Sequence, residues 1–489
     1  MQKKKKLRWG LPLASLLITG SVLAACSGAD APKQSPAEST AEATKGPPEK
    51  LIWYVRYSEP ANAKAVIAKA NERIQSKINA TLDLRFINPG DYDNKMQLIM
   101  ASGEEYDLAF TSAWANNYLN NVDRGAYIPL DDMLAKYPDL QSILRKEVWN
   151  AVKVKGHTYG IPNNQIMVSQ DGVWFKKDIA EKYGLDVQHV KSIQDLGQIY
   201  AAVKEKEPAL IPLRAGSVSL GFNSYVPSVE NLFSVDTSTW KVYDKTQNYV
   251  DEYKTFREWY QKGYFPQDVA TLKDETSLIK AGKIFSRYGR QKPGGDAELK
   301  IAYGFDVVQA ATSSPIIGRS AALSTLTAIS ATSKKPELAM KLIHLINTDK
   351  ELINLLSFGI EGTDYIKTGD KRIEKKTGSY ELPSWILGNV FNTYLLPGQP
   401  DDVWEQTQKI NETAQIDPLI SFNFDRTSVE NEMARLTAIE KEFQPILDNG
   451  LDDTDKTLKL REEKMKAAGF DKVLAEVQRQ LDEWRKTQK

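Results

Sequence analysis

Along this chain of 489 residues, side chains suited to holding a ligand come in aromatic–polar groups. Tyr57 follows the apolar run Leu51–Val55, and Trp114 is followed by Asn116, Asn117 and Tyr118. Asn163 and Asn164 come after YGIP (159–162). Glu361 and Tyr365 lie in and after the turn FGIEG (358–362), and Trp385, Asn389 and Tyr394 come later. A ring beside an amide or carboxylate offers a flat apolar face together with hydrogen-bonding groups, which equips it for non-covalent recognition. Each ring also has a plainer use in core packing. Trp53, Trp259 and Trp484 stand on periodic elements and are read as core, while Trp174, within a strand, fits either reading.

Covalent chemistry finds little support. His157, His189 and His344 are far apart and form no HExxH spacing, so no metal site is expected. GSVSLG (216–221) has one residue too many for a GxSxG elbow, and there is no GxxxxGK[ST] loop. Two carboxylates about 5–10 Å apart would serve a glycosidase, but scattered Asp and Glu are mostly solvated surface. The chain is therefore expected not to be an enzyme and to need no cofactor.

The only cysteine, Cys26, has a different chemistry. Lys3, Lys4, Lys5, Lys6 and Arg8 precede an uncharged stretch from Trp9 to Ala25, which is signal-peptide architecture. Gly10, Pro12 and Gly20 interrupt that stretch, and it is shorter than the roughly 20 apolar residues of a spanning helix. It ends in Leu23-Ala24-Ala25-Cys26, which resembles the lipobox of bacterial lipoproteins. Residues 1–25 are thus expected to be a signal peptide, and 26–49 a lipidated cysteine with a disordered tether. Residues 27–49 carry no large apolar side chain that could offset the entropy of ordering them. One cysteine also leaves no intramolecular disulfide.

The elements that must position the ligand groups can be read from periodicity. Leu51–Val55 is a short apolar strand, and Ile67, Ala70, Ile74 and Ile78 recur at helical steps between Ala61 and Asn79. Leu82, Leu84 and Phe86 alternate as a strand, Gly90–Ser102 is helical, and Leu108–Thr111 is a third strand. This is the βαβ grammar of an α/β domain, whose ligands bind beyond the carboxyl ends of strands. The loops Arg56–Pro60, Asn88–Asp91 and Ser112–Asn117 are therefore the ones to watch. A second α/β segment reads as strand 172–175, helix 177–183, helix 193–205, strand 209–212 and helix 253–262. Ser333 and Pro336 predict the start of a further helix. Leu474, Val477, Leu481 and Trp484 predict a terminal helix from Asp471. Once the leader's five basic residues are removed the net charge is about −5, which gives no footprint for nucleic acid.

Several stretches carry a family resemblance: GEEYDLAFTSAW (103–114), GAYIPLDDMLAKYPDL (125–140), GHTYGIP (156–162), KKDIAEKYGLD (176–186) and SKKPELAMKLIHLINTDKELINLLSFGIEGTDY (333–365). Together they resemble family 1 extracellular solute-binding proteins, the capture subunits of carbohydrate-type ABC importers. The tail, from Trp385–Asn389 to KAAGFDKVLAEVQRQLDEWRK (466–486), resembles a lipoprotein branch with an added C-terminal helical domain of no assigned role. The resemblance implies an α/β, two-lobe periplasmic-binding-protein fold of the maltose-binding-protein type with a helix-rich C-terminal extension. Lobe 1 would be 50–162 with about 315–375, and lobe 2 would be 163–314 with about 376–420. The helical segment 421–489 would pack on the lobes, and the hinge would cross near Asn163 and Asn164. It also implies capture of a small solute, with an oligosaccharide leading, by Tyr57, Trp114, Asn116, Asn164, Glu361, Tyr365 and Trp385. The partners implied are ABC permease subunits and, through lipid on Cys26, the outer face of a Gram-positive cell membrane. The chain is expected to act as a monomer. A surface glycosidase and a glycan adhesin stand as alternatives.

Overall fold

The apolar runs that open the body become the middle of a five-stranded sheet. Its order is Ala80–Ile87, Glu49–Arg56, Leu108–Thr111, Leu326–Ile329, Gly160–Pro162. The first three strands are parallel, and each of the last two is antiparallel to the strand before it. The computed structural model describes residues 46–488 apart from 218–221, 223–224 and 273–274. The leader, Cys26 and the tether through residue 45 lie outside the described residues, and from Pro47 onward the chain is one compact unit.

Leu51, Trp53 and Val55 are buried, as are Leu108, Ala109 and Phe110, because helices cover the parallel strands. Helix Ala63–Ile78 buries Ala63, Val66, Ala70 and Ile74 at three- and four-residue steps. Helix Pro336–Thr348 starts two residues later than a Ser333 cap would place it, with Lys335 at the cap position. Ser333 Oγ instead accepts from Lys335 N at 3.1 Å and donates to Asp107 Oδ1 at 2.6 Å. Pro336 has no N–H to be capped and its ring presets the helical φ, so the hydroxyl is released to hold a buried carboxylate.

The second sheet is ordered Val307–Ala311, Asp171–Lys176, Ile284–Arg290, Ile211–Leu213. Strand Asp171–Lys176 runs antiparallel to both neighbours, and Ile284–Arg290 is parallel to Ile211–Leu213. Val173 and Phe175 pack with Tyr200, Phe256, Trp259 and Phe285 in one core. Trp174, one residue out of step, is buried with Ile279 and Ile284 in another, which settles it as core.

The chain passes between the two sheets three times, and the crossings lie side by side. Ser169 bridges to Ile316, and strand Ile316–Ile317 pairs with Gln415–Ile416. The first crossing therefore lies beyond Asn163 and Asn164. Asn163 N still donates to Thr325 O at 3.1 Å, which extends the first sheet by one residue. The segment that follows residue 375 also departs from the expected boundary. Tyr380, Leu382, Ile386 and Leu387 are buried in the core of the first sheet, so that stretch goes with the first lobe.

Helices Glu430–Asp448, Thr454–Ala467 and Phe470–Thr487 form the tail. They share a core with the antiparallel strands Ser228–Val229, Phe233–Asp236 and Lys241–Asp244. The extension is thus a small α/β layer in which the Phe233 and Phe470 rings pack, tilted, at 5.0 Å. Within it the buried Arg461 guanidinium joins Asp244 at 2.7 Å and Glu440 at 2.9 Å. Gly450, at φ 59°, lets the tail seat on helix Val250–Gln261, since a Cβ there would meet Arg257 Cα at 2.4 Å. Trp53 and Trp259 are core as expected, whereas Trp484 is only partly buried and faces a groove. No helix among the described residues is long and apolar enough to cross a membrane.

Candidate ligand-binding cleft

Strand directions bring distant loops to one edge of the first sheet. Glu49–Arg56, Leu108–Thr111 and Gly160–Pro162 end there, and the antiparallel Leu326–Ile329 begins there, with Leu326 opposite both Thr111 and Pro162. Arg56 and Tyr57, the loop after Thr111, Asn163, and the pair Ser324–Thr325 therefore meet at this edge.

The Ser112–Asn117 loop is clamped from inside. Ser112 Oγ accepts from Ala115 N at 2.8 Å and Trp114 N at 3.2 Å, and Ala113 N donates to Leu323 O at 2.8 Å. Asn116 sits in the left-handed region, φ 45°, which asparagine tolerates. Its amide donates to Phe110 O at 2.9 Å and Tyr127 Oη at 3.0 Å, and its Oδ1 accepts from Asn121 Nδ2 at 2.8 Å. Asn117 caps helix Tyr118–Asp123 by accepting from Asn120 N at 3.0 Å. The loop so fixed turns Trp114 outward, 51% exposed, with its indole N–H donating to Ser324 O at 2.7 Å.

Trp385 arrives on the short helix Ser384–Leu387, and Asn163 Nδ2 donates to its carbonyl at 2.8 Å. The Trp114 and Trp385 rings are 6.4 Å apart, and the Phe110 ring lies beneath them at 5.8 and 6.1 Å. The Arg56 guanidinium stands 4.8 Å over the Trp114 ring, and its buried Nε has no hydrogen-bond partner among the described residues. Tyr57 is half-buried, and burial followed by the charge of Glu381 raises its hydroxyl pKa above the ordinary value. Gln165 Nε2 donates to Thr325 Oγ1 at 2.7 Å. A pair of indoles, one exposed and one partly buried, with a cation, a carboxylate and amides around it can hold a ligand that has both apolar faces and hydroxyls.

The expected residues do not all come together. Tyr57, Trp114 and Trp385 lie on this edge. Asn116 sits beneath it, with its side chain occupied in holding the loop. Asn164 is buried beside the edge, where its Nδ2 donates to Asn389 Oδ1 at 3.2 Å. Glu361 is exposed and paired with Lys367 at 2.8 Å. Tyr365 is buried with Phe358 and Ile373 and has its ring 5.9 Å from Tyr394. That turn is tied to the first strand's loop through Asp364, which accepts from Asn62 Nδ2 at 3.0 Å. It makes a second aromatic group, with no ring contact to Trp114 or Trp385 among the described residues.

The second sheet adds polar groups that sequence reasoning missed. Asp171 opens one strand where Arg290 closes its neighbour, and both lie next to the crossings. Tyr288 Oη donates to Asp171 Oδ1 at 2.7 Å, and Arg290 Nε stands 3.5 Å from the same oxygen. The run IFSRYGR (284–290) has neither an apolar block nor clean alternation, so its strand gave no periodic signal. No group of three or more His, Cys, Asp or Glu side chains suited to a metal occurs among the described residues.

Known proteins share this architecture. The family model described as bacterial extracellular solute-binding protein matches residues 58–352, and one described as a domain of unknown function, DUF3502, matches 418–486. A carbohydrate ABC transporter substrate-binding protein of Streptococcus pneumoniae serotype 4 is 28% identical, over 99% of both chains. The polygalacturonan/rhamnogalacturonan-binding protein YtcQ of Bacillus subtilis is 21% identical over 76% of each. Among solved structures, the N-glycan transport solute-binding protein NgtS of S. pneumoniae superposes with TM-score 0.81 at 28% identity. That match covers 90% of this chain and 100% of NgtS. Its complexes with Man1GlcNAc and Man5GlcNAc give 0.70 and 0.67. With its family model covering more than half of the sequence, this chain belongs to the bacterial extracellular solute-binding proteins.

Proposed function

We propose that the chain captures an oligosaccharide between the facing edges of its two sheets and delivers it to the permease of an ABC importer. The observation that carries this reading is the indole pair Trp114–Trp385, held at the strand ends with Trp114 half in solvent. An exposed large aromatic braced by a clamped loop is placed for a ligand face, since the fold alone gains nothing from leaving it in water. Arg56, Tyr57 and Glu381 supply hydroxyl partners from the first lobe, and Asp171, Tyr288 and Arg290 supply them from the second. The names of the relatives support a carbohydrate: the S. pneumoniae protein is a carbohydrate ABC transporter's substrate-binding protein described for N-glycan transport, and YtcQ is a polygalacturonan/rhamnogalacturonan-binding protein. The protein binds the sugar without consuming it, acts as a monomer, and is retained by lipid on Cys26 at the extracellular face of the cell membrane. The segment between Cys26 and the folded body, which could span about 80 Å, would keep it near its permease at high effective concentration.

Calorimetric titration with Man5GlcNAc and other neutral oligosaccharides, and with oligogalacturonate, tests the reading. Trp114→Ala and Trp385→Ala should each weaken the best ligand by about 2 kcal/mol, roughly 30-fold. Mass spectrometry should recover that ligand intact. Unchanged affinity in both variants would move the site elsewhere, and release of new reducing ends would favour the glycosidase.

A further inference from the structure

The C-terminal domain builds a groove against the first lobe. Trp240 and Trp484 line a cavity of about 380 Å³ together with Glu147, Asn150 and Asp417. This falls within the roughly 300–1,000 Å³ of small-molecule sites. None of the cleft residues described above contributes to its lining. The two indoles are 6.3 Å apart and tilted by 51°, Phe422 braces Trp484 at 5.5 Å, and Arg485 lies 4.5 Å over the Trp240 ring.

Trp240 stands in the left-handed region, φ 58°, where a bulky side chain is a rare outlier. It ends the turn between strands Phe233–Asp236 and Lys241–Asp244, at a position that glycine would occupy without strain. Its carbonyl is fixed by Gln478 Nε2 at 3.0 Å from the last helix. The ring packs in part against the C-terminal core and in part lines the groove, whereas the turn by itself would favour glycine. Strain kept in this way points to a use for the side chain.

The lining chemistry selects the occupant. Two indole faces suit the C–H surface of a pyranose, and the Asn150 and Gln488 amides with the Glu147 carboxylate suit its hydroxyls. Glu147 is paired with Arg145 at 3.4 Å and Arg485 is engaged on the Trp240 ring, so both guanidinium groups near the wall are already occupied, which favours a neutral sugar over an acidic one. We propose that this groove is a second carbohydrate site, taking a neutral sugar residue, and that the C-terminal domain therefore contacts ligand. The inference rests on the carbohydrate reading above.

Titration of the full chain with a panel of neutral oligosaccharides including Man5GlcNAc, followed by calorimetry and saturation-transfer NMR, tests it. The wild type should show two binding events. Trp240→Gly, which suits the backbone, should abolish the weaker event and change the stronger by less than about two-fold. Glu147→Ala, on helix Lys146–Ala151, should weaken the same event at least five-fold, while Trp385→Ala should spare it. A single event in the wild type, or a second one that survives both groove variants, overturns the groove site and leaves the cleft reading standing. A wild type that binds no member of the panel overturns the groove site, and the cleft reading falls with it only if oligogalacturonate also fails to bind.

Discussion

Asn116 and Trp114 sit two residues apart in one loop, and the structure gives them opposite tasks. The Asn116 side chain makes three buried hydrogen bonds, to Phe110 O, Tyr127 Oη and Asn121 Nδ2, and removing it loses all three, although Tyr92 Oη still donates to Phe110 O at 2.9 Å. Asn116→Ala should therefore cost about 1–3 kcal/mol of stability. Trp114→Ala, at a half-exposed side chain, should cost less stability while losing more affinity. Urea denaturation of the two variants beside the wild type would check this, and equal stability losses would contradict the division of labour. Sequence alone could mark the loop because it follows a strand, but it could not say which of its side chains turns inward. The same limit applies to Glu361 and Tyr365. They sit in a turn rich in chemistry, but Asp364 ties that turn to Asn62 instead of to the indole pair. Arg56 ended a strand already read correctly, and only the ring packing across 58 residues of sequence revealed its place over Trp114.

At the scale of elements, the βαβ start was legible because helical and strand periods alternate there without interruption. All three helices expected in the second lobe were also legible, with Lys177–Tyr183 matching end for end. Strands Leu326–Ile329 and Val307–Ala311 were not, since each is four or five residues long and gains its strand identity only from partners far away in sequence. The hinge was placed near Asn163 by analogy, but the crossings pair at Ser169, Ile316–Ile317 and Gln415–Ile416. Asp417 closes that pairing, with its N–H on Ile317 O at 2.9 Å. Burial pushes the Asp417 carboxyl above its ordinary value, partly offset by hydrogen bonds from Leu419 N–H and the Tyr225 hydroxyl. A carboxyl raised by folding binds its proton more tightly in the folded state. Its contribution to stability is then fully present below the unfolded value of about 4 and is lost as pH rises through the folded value. Asp417→Asn keeps an acceptor for Leu419 N–H and removes the titration. The melting temperature of the variant minus that of the wild type should therefore increase as pH rises from about 4 and then level off. Calorimetry from pH 4 to 7 measures it, and a difference that does not vary with pH would place the carboxyl at its ordinary value.

For the whole molecule, the comparison with NgtS bears on how two sheets joined by three crossings could work. The same protein aligns over 90% of this chain in each of its three structures, yet the score falls from 0.81 to 0.70 and 0.67 in those described with a glycan. Coverage and sequence are constant, so the drop reflects how parts are arranged and not which parts match. This chain shares more of its arrangement with the NgtS structure described without a glycan. A ligand that touches both edges would shift two hinged lobes together by its differential affinity for the closed form. Trp114 and Trp385 on one edge and Asp171, Tyr288 and Arg290 on the other are the groups such a ligand would bridge. Small-angle scattering of the folded body from Pro47 onward should then show a radius of gyration near 22 Å. Saturating Man5GlcNAc, or the best oligosaccharide from the titrations, should lower it by a few per cent, with a midpoint at the calorimetric dissociation constant. Trp385→Ala should move that midpoint to higher ligand concentration and reach the same final radius, since it removes affinity without altering the hinge. A radius that stays constant while the ligand saturates the protein would mean that capture occurs on one lobe alone.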